Sequence, residues 1–515
     1  MRYFALVVWG LSILAVGSWL RFSDLERQPF HADEAATGAQ SLSYRLAKSG
    51  DGYQFDPSHR HGPMLTFLAE PWARAQGERS WETLTVSTLR EVTAFCGLLV
   101  IAGVLMLGAD WPRALLAAGF IATSPLLVYY SRLFIHEPIF LMFAIPALAG
   151  MILLFKGKRV WLGASLFGAG VGMMAATRET VAISLIAWTT AGAIWLLRRT
   201  EMPDVKGSGN AKQRMLEAAK VVSTLWKPIT LAAGICLVLI FFFYSEGLRR
   251  PAGFLDFFRT FYEYKTGEGH DKPFIFYLEL LAWPKLIVGR WWTEGMILAL
   301  ALGVYLDRSK TEQAAIGRFF FESGVVHLLV FSLISYKTPW LPSLAWLHLC
   351  IAAGAGGLVL IQRFSKSRYW VAAAVLLAVT LWHGAQAQRA AIRLAADGRN
   401  PYAYVPTSPD VAGLEAWLLQ MRETLPSTQE RPVAVIGEGY WPLPWYLRKL
   451  GEVGYWPSLP DGSNAIPLLL IMPTSFEEVS KQLKETHTFI PRGLRDEFPI
   501  MVAIRNDLWS AYQKQ

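Results

Sequence analysis

Residues 132–138 read Arg-Leu-Phe-Ile-His-Glu-Pro and join two apolar stretches, residues 113–130 and 137–155, with almost no loop. An α-helix needs about 20 apolar residues to cross a bilayer, and both stretches approach that length. Proline suits the first turn of a helix, which fits the start of the second stretch. The sequence therefore predicts two membrane-spanning helices joined by a tight turn that holds polar side chains at the membrane surface.

Apolar stretches continue in both directions from this turn. Of the 515 residues, 53% are hydrophobic and only 17% are charged, and the mean hydropathy is +0.30. A soluble domain has about 25% charged residues. We predict a polytopic α-helical membrane protein with about eleven transmembrane helices, near residues 3–20, 87–108, 113–130, 137–155, 160–176, 180–197, 228–245, 284–306, 319–335, 340–361 and 369–386.

The net charge of +9 does not indicate nucleic-acid binding, because lysine and arginine concentrate in short loops beside the apolar stretches. The positive-inside rule places these loops in the cytoplasm. They contain Arg113 and residues 156–159, 198–227, 308–310 and 363–368. We predict a protein of the plasma (inner) membrane with a cytoplasmic N-terminus and an extracytoplasmic C-terminus.

Two further features concern processing and redox chemistry. Residues 3–20 lack a small-residue cleavage site after them, so we predict a retained signal anchor. The three cysteines, Cys96, Cys236 and Cys350, all lie in predicted spans. This placement argues against a disulfide framework and against a cysteine-based zinc site.

We divide the chain into a transmembrane domain, residues 1–386, and an extracytoplasmic domain, residues 387–515. The first carries two long outer loops, residues 21–86 and 246–283. Within the second loop, residues 254–265 are aromatic and amphipathic. They predict a helix lying in the membrane interface, or alternatively a surface helix packed on the bundle.

The C-terminal domain alternates predicted strands with predicted helices. Residues 433–436 and 468–472 have the apolar character of buried strands, and helical segments lie near 410–424 and 475–485. This alternation predicts a small α/β domain with a partly parallel sheet.

Asp33 and Glu34 form an acidic pair in the first outer loop. A carboxylate at this position can act as a general base toward an acceptor hydroxyl. Alternatively, Asp33 caps a helix over residues 34–48. The pair can also bind a metal with histidines of the same loop, namely His31, His59 or His61.

Three tight segments on the outer face carry further polar residues. His61 precedes a Gly-Pro turn and either touches a substrate phosphate or satisfies a turn carbonyl. Arg132, His136 and Glu137 are either functional or include a structural Arg132–Glu137 ion pair. Arg178 lies in the turn Thr177-Arg178-Glu179 and pairs with Asp33 or Glu137, binds a phosphate or snorkels to headgroups.

The segment Tyr336-Lys337-Thr338-Pro339-Trp340 interrupts the chain between two apolar stretches. Lys337 cannot easily snorkel away from so short a turn, and a fixed lysine there would stabilise a phosphate leaving group. Trp340 is a substrate-binding candidate or a residue of the interfacial aromatic belt.

These motifs together resemble the GT-C membrane glycosyltransferases, in particular the protein O-mannosyltransferase and ArnT-like branch. Members carry an acidic pair in the first extracytoplasmic loop, a basic-to-acidic turn between the third and fourth spans, and a late Lys-x-Pro-aromatic segment. The matching residues here are Asp33-Glu34, Arg132 with Glu137, and Lys337 to Trp340.

More narrowly, the chain is similar to the flippase-associated protein family of archaeal N-glycosylation loci, which also has bacterial members. The segments that match this family are His31 to Ala35, His61 to Pro63, Ser131 to Glu137, Thr177 to Glu179, Tyr336 to Trp340, Asn400 to Tyr402, Thr407 to Asp410 and Trp441 to Arg448. Two departures leave the acceptor open. Glu137 stands where the mannosyltransferases commonly have aspartate, and the tail is not a β-trefoil.

The resemblance implies inverting transfer of a sugar from a polyprenyl-phosphate-linked donor to an acceptor hydroxyl at the outer membrane face. Asp33, or Glu34, would be the base, and Lys337 with Arg132 or Arg178 would neutralise the departing phosphate. No cofactor is needed for a monophosphate donor. A pyrophosphate donor favours a divalent metal, for which the candidate ligands are Asp33, Glu34 and Glu137.

The expected partners are the lipid-linked donor, membrane lipids and an acceptor that is a protein, a lipid or a glycan. Trp441, Trp445 and Tyr446, beside Arg448, predict an acceptor-glycan site or else the core of their own domain. The alternative function is a transporter or flippase of lipid-linked sugars, or a flippase-associated partner. Its weakness is that the sequence shows no internal repeat and its charges gather at one face.

Overall fold

The protein is described here by a computed structural model that covers residues 2–47, 55–107, 110–199, 223–263, 269–309, 311–365, 368–428, 432–496 and 498–514. Most of the predicted basic loop 198–227, with Lys206, Lys212, Arg214 and Lys220, lies outside the described residues, as do Lys310 and Lys366.

The described part of the chain is mostly helical. Its α-helices are Arg2–Phe22, Gln40–Leu46, Met64–Ala75, Val86–Leu107, Trp111–Thr123, Pro125–Ser131, Glu137–Lys156, Val160–Ala175, Val181–Arg199, Trp226–Tyr244, Phe254–Glu263, Phe276–Leu281, Gly295–Leu302, Glu312–Leu333, Ser343–Arg363, Tyr369–Gln388, Pro409–Ala412, Leu414–Thr424, Leu443–Tyr446, Pro473–Leu483 and Asn506–Tyr512. Two π-helices, Glu34–Ala39 and Arg389–Arg393, precede or extend α-helices.

The polytopic membrane architecture is confirmed. The described residues contain seven helices long and apolar enough to cross a membrane, or eight if one bent pair counts as a single span. That pair, Trp111–Thr123 and Pro125–Ser131, bends by 61° at the break. Three shorter apolar helices also coincide with predicted spans. The count of eleven transmembrane helices stays a prediction.

The predicted span 284–306 is wrong over nearly its first half. Two short antiparallel strands, β1 (Lys285–Ile287) and β2 (Arg290–Trp292), form a hairpin there, and a helix begins only at Gly295. The turn needs the left-handed backbone of Gly289, with φ of +69°. An apolar run of this composition suits a strand as well as a helix, which explains the error.

The chain forms two compact units. The membrane unit comprises Met1–Leu25, Tyr53–Trp72 and Arg90–Arg393. The sheet unit comprises Glu26–Gly52, Ala73–Leu89 and Leu394–Gln515. The sheet unit thus includes parts of the first outer loop together with the C-terminal tail.

The sheet unit contains the predicted small α/β fold. Its strands are β3 (Val433–Ile436), β4 (Val453–Trp456), β5 (Leu468–Ile471), β6 (His487–Arg495) and β7 (Phe498–Arg505). Their order is β4-β3-β5-β7-β6. The first three strands are parallel, with Val433 opposite Val453 and Leu468, and the last two are antiparallel.

Both faces of this sheet are covered, as the continuous apolar strands predict. Side chains alternate along β3 and β5, so one set packs with the helices Leu414–Thr424 and Asn506–Tyr512. The other set packs with the helix Pro473–Leu483. Every residue of β3 and β5 is buried.

In the second outer loop, the helix Phe254–Glu263 buries Asp256 and Thr260, while Arg259 and Glu263 are exposed. Asp256 is buried and receives ion pairs from Arg250, at 2.5 Å, and from Arg259, at 3.1 Å. Phe258, Phe261 and other apolar residues of this helix are exposed. A surface that exposes both aromatic and charged side chains favours the interfacial interpretation. Residues 264–265 of the predicted segment lie outside the described part.

Candidate active site

In the membrane unit, three tight segments bring five polar side chains together. Arg178 forms an ion pair with Glu137, and both side chains are buried. His61 Nδ1 lies 3.0 Å from Glu179 Oε2. The rings of His61 and His136 meet edge to face, with centroids 5.2 Å apart.

Gly62 makes this arrangement possible. A side chain at Gly62 would overlap the carbonyl of Ala176, at the end of the helix that leads to Arg178. The same Ala176 carbonyl accepts a hydrogen bond from Met64 N–H, at 3.0 Å. His136 Nε2 lies 3.2 Å from the Gly62 carbonyl oxygen. The turn at Gly62 therefore aligns His61 with the neighbouring charges.

The electrostatics of this cluster favour an ionised Glu179 beside a neutral His136. Burial acts to raise the pKa of Glu179, but the charge and hydrogen bond of His61, together with Arg178, lower it to about 2. Burial lowers the pKa of His136 well below its usual value, and His61 and Arg178 lower it further. Like charges close to a buried imidazole disfavour its protonation.

Arg132 is buried and binds backbone instead of Glu137. Its Nη1 donates to the carbonyls of Leu20, at 3.0 Å, and Arg21, at 3.2 Å, and its Nη2 donates to the carbonyl of Asp24, at 3.1 Å. These acceptors are at the end of the first helix, where carbonyls lack helical partners. The Arg132–Glu137 ion pair considered from the sequence is wrong, because Glu137 pairs with Arg178.

Lys337 lies in a short antiparallel contact between two loops. Its backbone N–H donates to His270 O at 2.9 Å, and Tyr336 forms a β-bridge with Asp271. The buried ammonium donates to Lys272 O, at 2.9 Å, and to Ile334 O. Nearby, the half-buried ring of Trp340 contacts Tyr130 with centroids 5.8 Å apart.

In the sheet unit, His31 and Glu34 build a helix start around Asp33. The backbone N–H of Asp33 donates to His31 Nδ1 at 3.1 Å. That nitrogen therefore has no proton, and Nε2–H donates to Tyr404 O at 3.0 Å. Glu34 is fully buried and accepts a hydrogen bond from His31 N–H at 2.9 Å. This reciprocal pattern is that of a capping box.

Asp33 has a different environment from Glu34. Its side chain makes no capping hydrogen bond, so the interpretation of Asp33 as a helix cap is wrong. The carboxylate is 47% exposed. Burial raises the pKa of Tyr404, and the charge of Asp33 raises it further. Burial lowers the pKa of Arg495, and the charge of Asp33 opposes this effect. The predicted helix 34–48 begins as a π-helix, a feature often found at functional sites.

The predicted acceptor aromatics have unequal exposure. Trp445 is buried and packs against Phe30, with ring centroids 4.2 Å apart and planes tilted by 31°. The guanidinium carbon of Arg448 lies 3.9 Å from the centroid of the Trp445 ring. The hydroxyl of Tyr446 accepts a hydrogen bond from Phe30 N–H at 2.6 Å. Trp445 and Tyr446 thus join parts of the sheet unit, whereas Trp441 stays partly exposed.

The whole chain matches solved structures of membrane proteins. ArnT from Cupriavidus metallidurans bound to undecaprenyl phosphate gives a TM-score of 0.59 at 15% identity, covering 97% of this chain and 98% of that one. The archaeal oligosaccharyltransferase AglB from Archaeoglobus fulgidus, in complex with an inhibitory peptide and a dolichol-phosphate, gives 0.53 at 12% identity, covering 99% and 77%. The chain has a GT-C fold.

The GT-C fold was predicted, and its prediction is confirmed. No family model and no curated protein matches the chain. The narrower likeness to the flippase-associated family therefore stays a prediction. ArnT in the apo state matches with a TM-score of 0.61 over 98% of this chain, so the similarity extends along the whole GT-C fold.

Sequence reasoning missed several neighbours of the predicted residues. Tyr404 and Arg495 lie close enough to Asp33 to be affected by its charge, although they are more than 350 residues away in the chain. The segment His270 to Lys272 holds Lys337. Nothing local in the sequence marks these residues, because each contact depends on how distant segments fold together.

Proposed function

We propose that this protein transfers a sugar from a polyprenyl-phosphate-linked donor to an acceptor hydroxyl at the outer face of the plasma (inner) membrane. The reaction inverts the anomeric centre, and Asp33 is the general base. In this proposal the N-terminus is cytoplasmic, and the acceptor is a glycan, a lipid or a protein.

Two observations on known structures support the donor class. The chain shares its fold over nearly its full length with ArnT, whose structure contains undecaprenyl phosphate. AglB, which has the same fold, was solved with a dolichol-phosphate. Both ligands are long isoprenoid lipids with a phosphate headgroup. We extend this ligand class to the present chain.

The proposal rests on the surroundings of Asp33. Its backbone is fixed by His31, yet its carboxylate is not used as a helix cap and is 47% exposed. Glu34 is fully buried and binds the backbone N–H of His31. A general base must reach the proton that it removes. This contrast supports our proposal that Asp33 is the base and that Glu34 has a structural role.

In the proposed step, Asp33 takes the proton of the acceptor hydroxyl as the oxygen attacks the anomeric carbon. A new carbon–oxygen glycosidic bond forms on the face opposite the phosphate. The old bond between the anomeric carbon and the phosphate oxygen breaks, and its electron pair leaves with the polyprenyl phosphate. The products are an inverted glycoside and a lipid monophosphate.

The departing phosphate is stabilised by cationic side chains of the membrane unit. Lys337 uses two ammonium protons on carbonyl oxygens, which leaves a third for a ligand. Arg132 and Arg178 are the other candidates, and His61, His136, Glu137 and Trp340 are the proposed substrate neighbours. Fixed cations stabilise charge that develops on a leaving group.

A monophosphate donor needs no metal in this scheme. For a pyrophosphate donor, the ligands would be drawn from Asp33, Glu34 and Glu137. Two of these are already engaged, because Glu34 binds His31 N–H and Glu137 pairs with Arg178. Transfer that survives chelation is therefore the expected result, and transfer abolished by chelation would refute the metal-free version.

The test is a transfer assay with purified protein in lipid. Wild type and Asp33→Asn receive a panel of radiolabelled polyprenyl-phosphate sugars, with membrane extract as acceptor. The expected loss for Asp33→Asn is about 10²- to 10⁴-fold, the usual contribution of a general base. Asp56→Asn is the matched control, because Asp56 lies in the same loop and its side chain is 44% exposed.

Each outcome of this assay has a definite meaning. Loss of transfer in Asp33→Asn, with the melting temperature and the Asp56→Asn activity retained, supports Asp33 as the base. Equal transfer by wild type and Asp33→Asn contradicts that role. Wild type that moves the donor across the bilayer without consuming it contradicts the enzyme and favours the flippase function.

A further inference from the structure

The β1–β2 hairpin of the membrane unit has one inward and one outward face. Ile287 and Trp292 are buried. The cross-strand partners Leu286 and Trp291 are 65% and 64% exposed, and neighbouring Trp283 is 66% exposed. Such exposed tryptophans beside membrane-spanning helices are typical of the lipid headgroup region.

The hairpin is fixed to the end of the helix Tyr369–Gln388. Gln386 Oε1 accepts a hydrogen bond from Thr293 N–H at 3.0 Å. Three residues after Gln386, Arg389 Nη2 donates a hydrogen bond to Ile287 O at 3.0 Å. The hairpin and the helix end therefore form one structural element at the edge of the membrane unit.

Three arginines gather on this element. Arg389 and Arg393 occupy the π-helix that continues the helix Tyr369–Gln388, and Arg290 lies in the hairpin. Arg290 and Arg393 are close enough to Arg389 for their charges to repel it. Among the described residues, no carboxylate forms an ion pair with any of the three. The nearby Glu279 is close enough to Lys285 for its charge to favour the protonated ammonium of that lysine.

We propose that this element binds the phosphate headgroup of an anionic bilayer phospholipid. The three arginines hold the phosphate, while Trp283, Leu286 and Trp291 lie where the headgroups meet the acyl chains. The proposal uses none of the residues assigned to sugar transfer and does not depend on that function.

The chemistry of the element favours a lipid over a soluble anion. Arginine donates paired hydrogen bonds to phosphate oxygens, and three like charges without a carboxylate partner favour an anionic ligand. The apolar side chains next to them are exposed, and a soluble anion would leave them in water. A bilayer phospholipid satisfies both surfaces and reaches the element by lateral diffusion.

The test uses the full chain in detergent with native mass spectrometry of added lipids. Phosphatidylglycerol is compared with phosphatidylcholine for wild type and for Arg290→Gln with Arg393→Gln. Each basic residue near a lipid phosphate contributes about 1 kcal/mol, so the double variant should bind phosphatidylglycerol about 30-fold more weakly. Arg389 is kept because its bond to Ile287 supports the hairpin.

Two further variants make the test specific. Arg290→Lys with Arg393→Lys keeps both charges and should keep most of the binding. Arg259→Gln with Arg399→Gln removes the same charge at sites that already pair with Asp256 and Asp397, and should bind like wild type. If the double glutamine variant is unstable, Arg290→Gln alone removes one charge and should weaken phosphatidylglycerol binding about 5-fold; unchanged binding by this single variant would contradict the proposal.

The proposal fails if wild type binds phosphatidylcholine as tightly as phosphatidylglycerol. It also fails if the Arg290→Gln and Arg393→Gln double variant retains wild-type affinity, or if the lysine variant loses affinity as fully as the glutamine one. Polyprenyl phosphate added as a third lipid distinguishes the source of the phosphate. Retention of that lipid alone would overturn the assignment to a bilayer phospholipid.

Discussion

Acidic residues differ in burial and in bonding partners between the charged turns of the membrane unit and the helix start of the sheet unit. In the turns, Glu137 is buried and pairs with Arg178, and Glu179 is partly buried and contacts His61, so both carboxylates have partners. At the helix start, Glu34 is likewise buried and bonded, but the neighbouring Asp33 remains half exposed.

This difference separates residues that hold the structure from a residue available for chemistry. A buried carboxylate with a partner is costly to disturb, and its lone pairs are already used. An exposed carboxylate on a fixed backbone can accept a proton from a ligand. Variants of the turns should therefore change mainly the stability of the protein, whereas variants of Asp33 should change mainly its turnover.

The largest expected effect on stability comes from breaking the Arg178–Glu137 pair. Arg178→Met leaves a buried carboxylate without its partner, and we expect a loss of about 3–5 kcal/mol. Glu137→Gln should also destabilise the fold. The measurement is thermal unfolding of the purified chain in detergent.

The double variant Glu137→Gln with Arg178→Met is the control for this pair. It removes both charges, so it should lose less stability than the sum of the single changes. Strictly additive losses would show that the two side chains do not depend on each other. Glu137 would then not be a carboxylate held by its partner, and it would not differ from Asp33 in this respect.

A smaller effect with a clear pH signature is expected at Glu179. Its pKa is about 2 instead of 4.5, because His61 and Arg178 outweigh the effect of burial. The ionised form therefore stabilises the folded state above about pH 4.5, and this contribution is lost as the pH falls toward 2. Glu179→Gln should cost roughly 2–3 kcal/mol at pH 7.

The pH dependence supplies the control for Glu179. The difference in melting temperature between wild type and Glu179→Gln should be greatest at pH 7 and should narrow at pH 3.5. A difference that is the same at both pH values would mean that the carboxylate is not held ionised by its neighbours. The same scan on Glu137→Gln shows how far the turn as a whole responds to acid.

The fold could be predicted further than the site. Apolar length and loop charge are local properties, and they placed most helices correctly. The hairpin Lys285–Trp292 was missed because its apolar run fits a strand or a helix equally well. Within the sheet unit, the buried strands β3 and β5 stand out for their continuous apolar residues.

The partners within the site could not be predicted, because they depend on tertiary packing. Arg132 and Arg178 lie in similar turns, and the sequence offered Glu137 as a partner for both. Only the structure shows Arg132 on the carbonyls of Leu20 and Asp24, with Arg178 on Glu137. The role of His31 depends on Tyr404, which no local pattern connects to it.

The smallest expected effect tests whether His31 fixes the backbone of Asp33. His31→Ala removes the acceptor for Asp33 N–H, and loss of a helix cap costs about 1 kcal/mol. His31→Asn can still accept that hydrogen bond, although it cannot donate to Tyr404 O in the same way. The alanine variant should therefore lose more stability and more sugar transfer than the asparagine variant. A base whose backbone is free to shift should lose turnover before the protein loses its fold. Equal transfer by wild type and both variants would therefore show that Asp33 is held in place without His31.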